Sequence, residues 1–239
     1  MKIIRLVTFS LILLSLFSAV YGYAFTWSED KLIDKENDGG SLDAGIVRIK
    51  LNDDKFNVPL RYMYGEAIEK YHRWPKPKKE RMNVDYLHVS VLLPDMRPYY
   101  SEDDAKWRTP GFGDRVEINI LASLIQYDLL YKRYQYQEDL KNGRVTAGIS
   151  EYGLQSYIEP SFNTYFPLDV MHQKTDISCY IDRKNSMKPK SCNVRTHYRD
   201  NIRLEYYYDA NYLKNWKELD AKIKERLNQF LQSAKTDVN

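Results

Sequence analysis

The sequence has few of the residues that usually mark a catalytic or metal site. It contains only two cysteines and four histidines in 239 residues, and no two histidines are four apart as in a zinc-binding helix. It lacks a glycine-rich phosphate loop, and beside Ser150 the second glycine comes one residue too late for the nucleophile turn of a serine hydrolase. We therefore predict no catalytic residues, no metal, no cofactor and no enzymatic activity.

The sequence also has little excess of charge of either sign. Lysine and arginine total 36 against 33 aspartates and glutamates, a net charge of +3. Domains that bind nucleic acid concentrate basic residues on one surface, so we predict no nucleic-acid partner. Tyrosine is abundant instead, with 21 residues, and its half-polar ring suits strands and interfaces.

Long apolar runs are missing except near the N-terminus. Residues 6–20 are uncharged and mostly apolar, follow a lysine and an arginine, and precede the small residues Gly22 and Ala24. This plan predicts a signal peptide over residues 1–24, cleaved after Gly22 or Ala24. An uncleaved anchor is the alternative, but the run is shorter than the roughly 20 residues that span a bilayer. We expect an exported protein without stable membrane insertion.

The two cysteines lie in the clearest strand pattern of the chain. Side chains alternate between apolar and polar around Cys179 and again around Cys192, and a polar, proline-containing segment separates the two runs. This predicts a hairpin with a disulfide across it, because an exported protein folds under oxidising conditions. The alternative is a pair of reduced, buried cysteines.

A third strand and a helix follow the hairpin. Residues 202–208 alternate, and from Trp216 to Leu231 apolar residues recur at three- and four-residue steps, which predicts an amphipathic helix with a fraying tail. The fold class predicted is α+β, with antiparallel sheets, a disulfide-linked C-terminal hairpin and a C-terminal helix packed on the sheet. Residues 25–239 are predicted to form a single domain, with two lobes divided near residues 143–148 as the alternative.

Further strands are predicted upstream of the hairpin. The segments are residues 46–51, 56–63, 85–94, 115–121, 148–159 and 166–171. A short helix is predicted at residues 65–72, and residues 121–138 fit either a helix or a strand.

The pattern as a whole resembles a known group of proteins. The order DYLHVSVLLPDMRPYYSEDDAKW, PGFGDRVEINI, a cysteine hairpin and RLEYYYDANYLKNWKELDAKIKERLNQF resembles small periplasmic proteins of Gram-negative bacteria. That family gives immunity against antibacterial effectors of the type VI secretion system, particularly lipases. The resemblance covers most of the mature chain. It implies a periplasmic protein that binds one cognate effector and occludes its active site, and it transfers no functional residue.

Residues 94–114 are the predicted site of that contact. They contain three prolines, two glycines and four aromatic residues, and a loop of this length is functional or is held by its own side chains. Aromatic and arginine anchors dominate most interfaces. The predicted partner-binding residues are Arg97, Tyr100, Trp107, Arg108 and Phe112, with Trp74 as second choice. In the alternative reading, the aromatic residues pack the loop onto its own sheet.

Two other functions remain open from the sequence. One is a periplasmic accessory module that binds a glycan or a lipid on a platform of tyrosine and tryptophan. The other is an unrecognised envelope hydrolase that depends on a carboxylate or on Ser150.

Overall fold

The computed structural model of the chain describes residues 33–34, 45–65, 76–122, 129–181 and 189–236. Within these ranges the chain has the predicted α+β architecture. The strands are β1 (Ile33–Asp34), β2 (Ile46–Leu51), β3 (Asp54–Pro59), β4 (Lys76–Pro77), β5 (Met82–Asn83), β6 (Tyr86–Leu92), β7 (Arg115–Ala122), β8 (Thr146–Ala147), β9 (Leu154–Ile158), β10 (Phe162–Pro167), β11 (Thr175–Ile181), β12 (Pro189–Arg199) and β13 (Ile202–Asp209). The α-helices are α1 (Asp104–Trp107), α2 (Leu129–Lys141) and α3 (Trp216–Thr236), and short 3-10 helices cover Leu60–Met63, Ser101–Asp103, Val170–His172 and Ala210–Asn215.

Several sequence predictions fall on other parts of the chain. The parts outside the described residues are the signal peptide of residues 1–24, Trp74, most of the predicted helix at residues 65–72 and most of the loop between the cysteine strands.

Eight strands form one large sheet. Their order is β6-β7-β13-β12-β11-β10-β9-β8, and every neighbouring pair is antiparallel. Strands β8 to β13 are consecutive along the chain, and β13 then pairs with β7. The sheet therefore joins strands from both sides of residues 143–148.

One face of this sheet carries the core. Along β13 the side chains of Ile202, Leu204, Tyr206 and Tyr208 are buried, in strict alternation with half-buried neighbours. Helix α3 packs over this face with the side chains spaced as the sequence predicts. Its buried apolar residues are Trp216, Leu219, Ile223, Leu227, Phe230, Leu231 and Ala234. The predicted packing of the helix on the sheet is confirmed.

A small sheet adjoins the other side of α3. Its order is β3-β2-β5, with β2 and β5 parallel. The Asn57 side-chain amide donates to the Ser233 carbonyl at 3.3 Å, and the rings of Tyr62 and Phe230 lie 5.0 Å apart. Apolar residues of both sheets and of α3 belong to one continuous core.

The predicted disulfide is confirmed. Cys179 and Cys192 are directly paired residues on β11 and β12, and their sulfurs are bonded. Both cysteines are buried against the core, on the same face as Val194. The cross-link thus fixes the pairing of two central strands of the large sheet.

Four predicted boundaries are wrong. The strand predicted at residues 148–159 is Leu154–Ile158, because Glu151 to Leu154 form a tight turn before it. The strand predicted at residues 166–171 is Phe162–Pro167, because β10 is buried on both faces and shows no alternation. The strand predicted at residues 56–63 ends at Pro59 and continues as a 3-10 helix. Helix α3 runs to Thr236 rather than fraying from Ser233, since Ala234 is buried. The ambiguous segment contains both structures: β7 ends at Ala122, and α2 begins at Leu129.

Candidate interaction surfaces

The loop between β6 and β7 carries five of the six predicted partner-binding residues. Trp107, at the end of α1, has 0% of its surface exposed. Its ring centroid is 4.8 Å from that of Tyr64 and 5.8 Å from that of Tyr99, and Leu92 completes the cluster. For Trp107 the structure thus agrees with the alternative in which aromatic side chains pack the loop on its own sheet. A partner does not reach this side chain in the folded protein.

The two arginines of the loop form ion pairs within it. Arg97 donates to Asp103 Oδ1 at 2.6 Å, and Arg108 donates through Nε to Asp104 Oδ2 at 2.6 Å. Both arginine side chains are 37% exposed. A partner carboxylate would therefore compete with an internal one at each guanidinium, which lowers the gain from binding there.

Tyr100 and Phe112 are half-buried, and each contacts an aromatic or cationic neighbour. The guanidinium of Arg61 lies 4.6 Å from the centroid of the Tyr100 ring. Phe112 stacks on Tyr207, with centroids 6.2 Å apart and planes within 10°. Through Phe112 the loop reaches the outer face of the large sheet. Trp74 lies outside the described residues.

This outer face is polar over β6, β7, β13 and β12. We call it the polar face, and its residues are His88, Ser90, Glu117, Asn119, Asn193, Glu205 and Tyr207. His88 Nδ1 lies 2.8 Å from Asn119 Oδ1, and its Nε2 lies 3.0 Å from Ser90 Oγ. With Nδ1 donating to the amide oxygen, Nε2 accepts from the hydroxyl, so both ring nitrogens have partners.

A second group of hydrogen bonds on the polar face centres on Glu205. Its Oε1 accepts from the Tyr207 hydroxyl at 2.9 Å and from Asn193 Nδ2 at 3.1 Å. Burial, and then the nearby carboxylate, raises the pKa of Tyr207 to about 12. The tyrosine therefore stays a neutral donor at neutral pH, and the polar face presents fixed, already satisfied groups rather than a free nucleophile.

Helix α2 covers the rest of the outer face through polar and aromatic contacts. Asp176 on β11 is fully buried and accepts from Lys132, and Arg195 donates to the same carboxylate oxygen at 2.7 Å. Burial lowers the pKa of Lys132, and Asp176 opposes that shift. Tyr136 adds a hydrogen bond of 2.6 Å to Glu159. The Tyr136 ring also packs edge-on against Tyr157 and Phe166. Because α2 combines these aromatic contacts with ion pairs, its sequence shows no continuous apolar stripe, which explains the ambiguous prediction.

The sequence analysis missed one exposed region, formed by the loops before β9 and after β10. The sequence predicts a strand at residues 166–171, which covers the apolar residues of the second loop. The position of Asp169 is the feature of the sequence that argues against a strand at residues 166–171. An aspartate three residues before His172 is a cap for a helical turn, and the side chain of Asp169 accepts from the His172 backbone amide at 3.0 Å.

The described residues lack two further kinds of feature, a cluster of metal ligands and a membrane-spanning helix. The described residues contain no group of three or more histidine, cysteine or carboxylate side chains placed to hold a metal ion. In the same part of the chain, no helix combines the length and apolar character needed to cross a membrane.

The architecture defines an α+β protein with a long antiparallel sheet, a disulfide between two central strands and a C-terminal helix enclosed by two sheets. No family model matches the sequence, and no curated protein matches it. Solved structures do share the fold. The iron-regulated outer membrane lipoprotein FrpD of Neisseria meningitidis superposes with a TM-score of 0.56 at 14% identity, over 84% of this chain and 99% of that chain.

A second solved structure with this fold is that of an immunity protein. Smlt3025, an immunity protein of the Stenotrophomonas maltophilia type IV secretion system, superposes with a TM-score of 0.54 at 14% identity, over 78% of this chain and 93% of that chain. At this identity the likeness shows the fold alone. The chain therefore has the fold of a secretion-system immunity protein and of an envelope lipoprotein.

Proposed function

We propose that this protein is a periplasmic immunity protein that binds and neutralises a cognate antibacterial effector by occluding its active site. The observation that carries the proposal is the shared fold, which extends over 93% of the immunity protein Smlt3025. The sequence resemblance points independently to the same class of protein. The resemblance suggests a type VI effector of the lipase kind, whereas Smlt3025 belongs to a type IV system. The proposal is therefore that the protein neutralises an effector, and it does not specify the secretion system that delivers the effector.

The scaffold supports this role physically. An inhibitor binds tightly when its surface is already ordered, because little conformational entropy is then lost on association. Here a disulfide joins two central strands, and one core connects both sheets with α3. The predicted signal peptide would deliver the chain to the oxidising periplasm in which such a disulfide persists. Arg97, Tyr100, Arg108 and Phe112 keep part of their surface exposed beside the polar face and stay proposed contacts, as does Trp74.

A growth-rescue experiment tests the proposal. The product of the adjacent open reading frame is directed to the periplasm of a host with and without this protein. We expect growth to stop without the protein, to recover with it, and the two proteins to co-purify. A version that lacks residues 1–24 is the matched control, and it should fail to rescue because it stays in the cytoplasm. A harmless neighbour, or rescue failure with the full chain, would overturn the proposal.

A further inference from the structure

Five apolar side chains are exposed together at one end of the large sheet. Met171 is 90% exposed, Ile149 82% and Val170 76%, and Leu168 and Tyr152 are about half exposed. We call this group the end patch. Apolar residues exposed singly are normal, but a cluster of this kind on a folded surface marks an interaction site.

The two loops that form the end patch are tied to each other and to α3. The Leu168 amide donates to the Gly153 carbonyl at 2.9 Å. The buried Trp216, at the start of α3, donates from its indole nitrogen to the Tyr152 carbonyl at 3.0 Å. The two loops are therefore fixed to each other through the backbone and are fixed to the core helix.

The strand registers place the end patch and the loop of residues 94–114 at different strand ends. β10 ends at Pro167, and the register through β11, β12 and β13 brings that end of the sheet level with the end of β7. The loop of residues 94–114 instead enters β7 at its start, Arg115. The two regions therefore lie at opposite ends of the strands, although both contact the segment around the start of α3. The Tyr212 hydroxyl donates to Asp114 Oδ1 at 2.6 Å, whereas Trp216 donates to the Tyr152 carbonyl.

An internal brace holds the tip of the end patch. Asp169 accepts from the amide and from Nδ1 of His172, at 3.0 and 2.7 Å, and pairs with Lys217 on α3 at 2.6 Å. The Lys217 ion pair, and then the His172 contacts, lower the pKa of Asp169 to about 2. The His172 ring packs edge-on against Trp216, 5.1 Å between centroids. Val170 and Met171 are thus presented on a fixed turn, which reduces the entropy lost when they bind.

The backbone conformation of Tyr152 is a second, independent indication that the end patch has a function. Its φ is +53° and that of Gly153 is +74°, in a hairpin closed by the pairing of Glu151 with Leu154. Such turns favour asparagine followed by glycine, and a bulky residue in the left-handed region is strained. Among the described non-glycine residues with positive φ, Met96 is buried and the other two are asparagines. Tyr152 is strained and half exposed, a combination found at functional positions.

The chemistry of the end patch favours a protein partner. Lys217 and Asp169 neutralise each other, and the exposed Glu151 and Lys174 at the rim carry opposite charges. An apolar centre with a mixed polar rim is the usual anatomy of a protein interface. A surface for anionic lipid would instead be ringed by cations. Five side chains present on the order of several hundred Å², which is less than the roughly 1,000 Å² that each partner of an obligate homodimer buries.

We propose that the end patch is the anchor that enters an apolar cleft of the cognate effector. This assignment rests on the proposed function and names the surface that performs it. Val170 and Met171 project from a convex turn, so the complementary surface is concave. An anchor of this type excludes substrate from the cleft without contributing any chemistry of its own.

The test replaces the two apolar residues at the tip of the end patch by aspartates. In the double variant Val170→Asp with Met171→Asp, we expect growth rescue to be lost and the effector dissociation constant to rise at least about tenfold. Thermal unfolding should not change, because both side chains are largely exposed. The matched control is Leu130→Asp with Tyr134→Asp on α2, where the side chains are 46% and 56% exposed. The control should rescue growth like the unchanged protein.

Each other outcome has a definite meaning. Rescue by the double variant overturns the assignment of the end patch while the proposed function stands, whereas failure of the unchanged protein overturns both. The assignment is also overturned if the double variant keeps its affinity for the effector but loses dimers in light scattering. The same holds if it keeps that affinity but loses binding to vesicles with anionic lipid. If the double variant unfolds, a photoreactive phenylalanine analogue at position 171 replaces it. Cross-linking to the effector from position 171 and not from position 134 supports the assignment, and the reverse overturns it.

Discussion

The two ends of the large sheet differ in how they use their apolar side chains. The loop of residues 94–114 is rich in aromatic residues and arginines, yet Trp107 is buried and Arg97 and Arg108 are paired within the loop. The end patch has an ordinary composition, but Met171 and its neighbours are exposed on a braced turn. Composition alone therefore does not identify a binding surface. What decides exposure is whether a neighbouring element offers a place to pack, as Tyr64 and Leu92 do for Trp107.

The largest effect that separates the two ends is expected at Trp107. Trp107→Ala removes a fully buried indole and should lower the free energy of unfolding by about 4 kcal/mol. The sequence analysis places Trp107 among the partner anchors, and an anchor would lose affinity without loss of stability. Guanidinium unfolding at equilibrium distinguishes the two. The control is Phe112→Ala in the same loop, where a half-buried ring should change stability by under about 1.5 kcal/mol. Unchanged stability in Trp107→Ala would contradict the buried position.

A change to the shared scaffold should affect both ends together. Replacing Cys179 and Cys192 by alanine opens a link with a sequence separation of 13. The chain-entropy model gives a loss of about 3 kcal/mol for a loop of this size. Hydrogen exchange should then accelerate in the loop of residues 94–114 and in the end patch alike. Acceleration at one end only would show that the two ends do not depend on a common sheet.

The comparison also explains what the sequence could predict. The cysteine hairpin, β13 and α3 each have one buried face, so their periodicity is visible, and the disulfide follows from strands that pair Cys179 with Cys192. β10 and α2 are the opposite case. The layer between them mixes the ion pairs of Asp176 with the packed rings of Tyr136 and Phe166. This mixture hides any alternation in β10 and any apolar stripe in α2.

The candidate surfaces were harder to predict than the fold. The sequence gives residue types but not their partners, and Trp107 becomes core only because residues 64 and 92 lie beside it in space. Exposure at Val170 depends likewise on the turn capped by Asp169 and on Lys217, which is distant in sequence. A surface that is assembled from segments distant in sequence has no local sequence pattern from which it could be predicted.

Relief of strain at Tyr152 should raise stability while weakening binding. Tyr152→Asn creates an asparagine-glycine turn and should stabilise the fold by about 1 kcal/mol, since asparagine tolerates positive φ. Effector affinity should fall because the end patch loses a ring. Thermal unfolding and growth rescue measure the two effects. The converse control is Asn201→Tyr, at φ +58° in the β12–β13 turn, which should destabilise by a similar amount. A stabilised variant with full affinity would remove Tyr152 from the end patch.

The smallest effect concerns the brace at Asp169. Asp169→Asn keeps an acceptor for the His172 amide but loses the ion pair with the half-exposed Lys217. An ion pair this exposed contributes about 0.5 kcal/mol, so near neutral pH the variant should be less stable by about that amount. Urea unfolding of both proteins over a range of pH measures the difference.

The pH dependence of that difference has a definite sign. In the folded protein the pKa of Asp169 is lowered from 3.8 to about 2, so the folded state binds its proton less readily than the unfolded chain does. The contribution of Asp169 is therefore complete above a pH of about 4 and is lost as the pH falls toward about 2. The two proteins should become equally stable at the acid end of that range. A difference that persists there would mean that the turn is held by the hydrogen bonds to His172 rather than by Lys217, and the rigidity of the end patch would then not depend on α3.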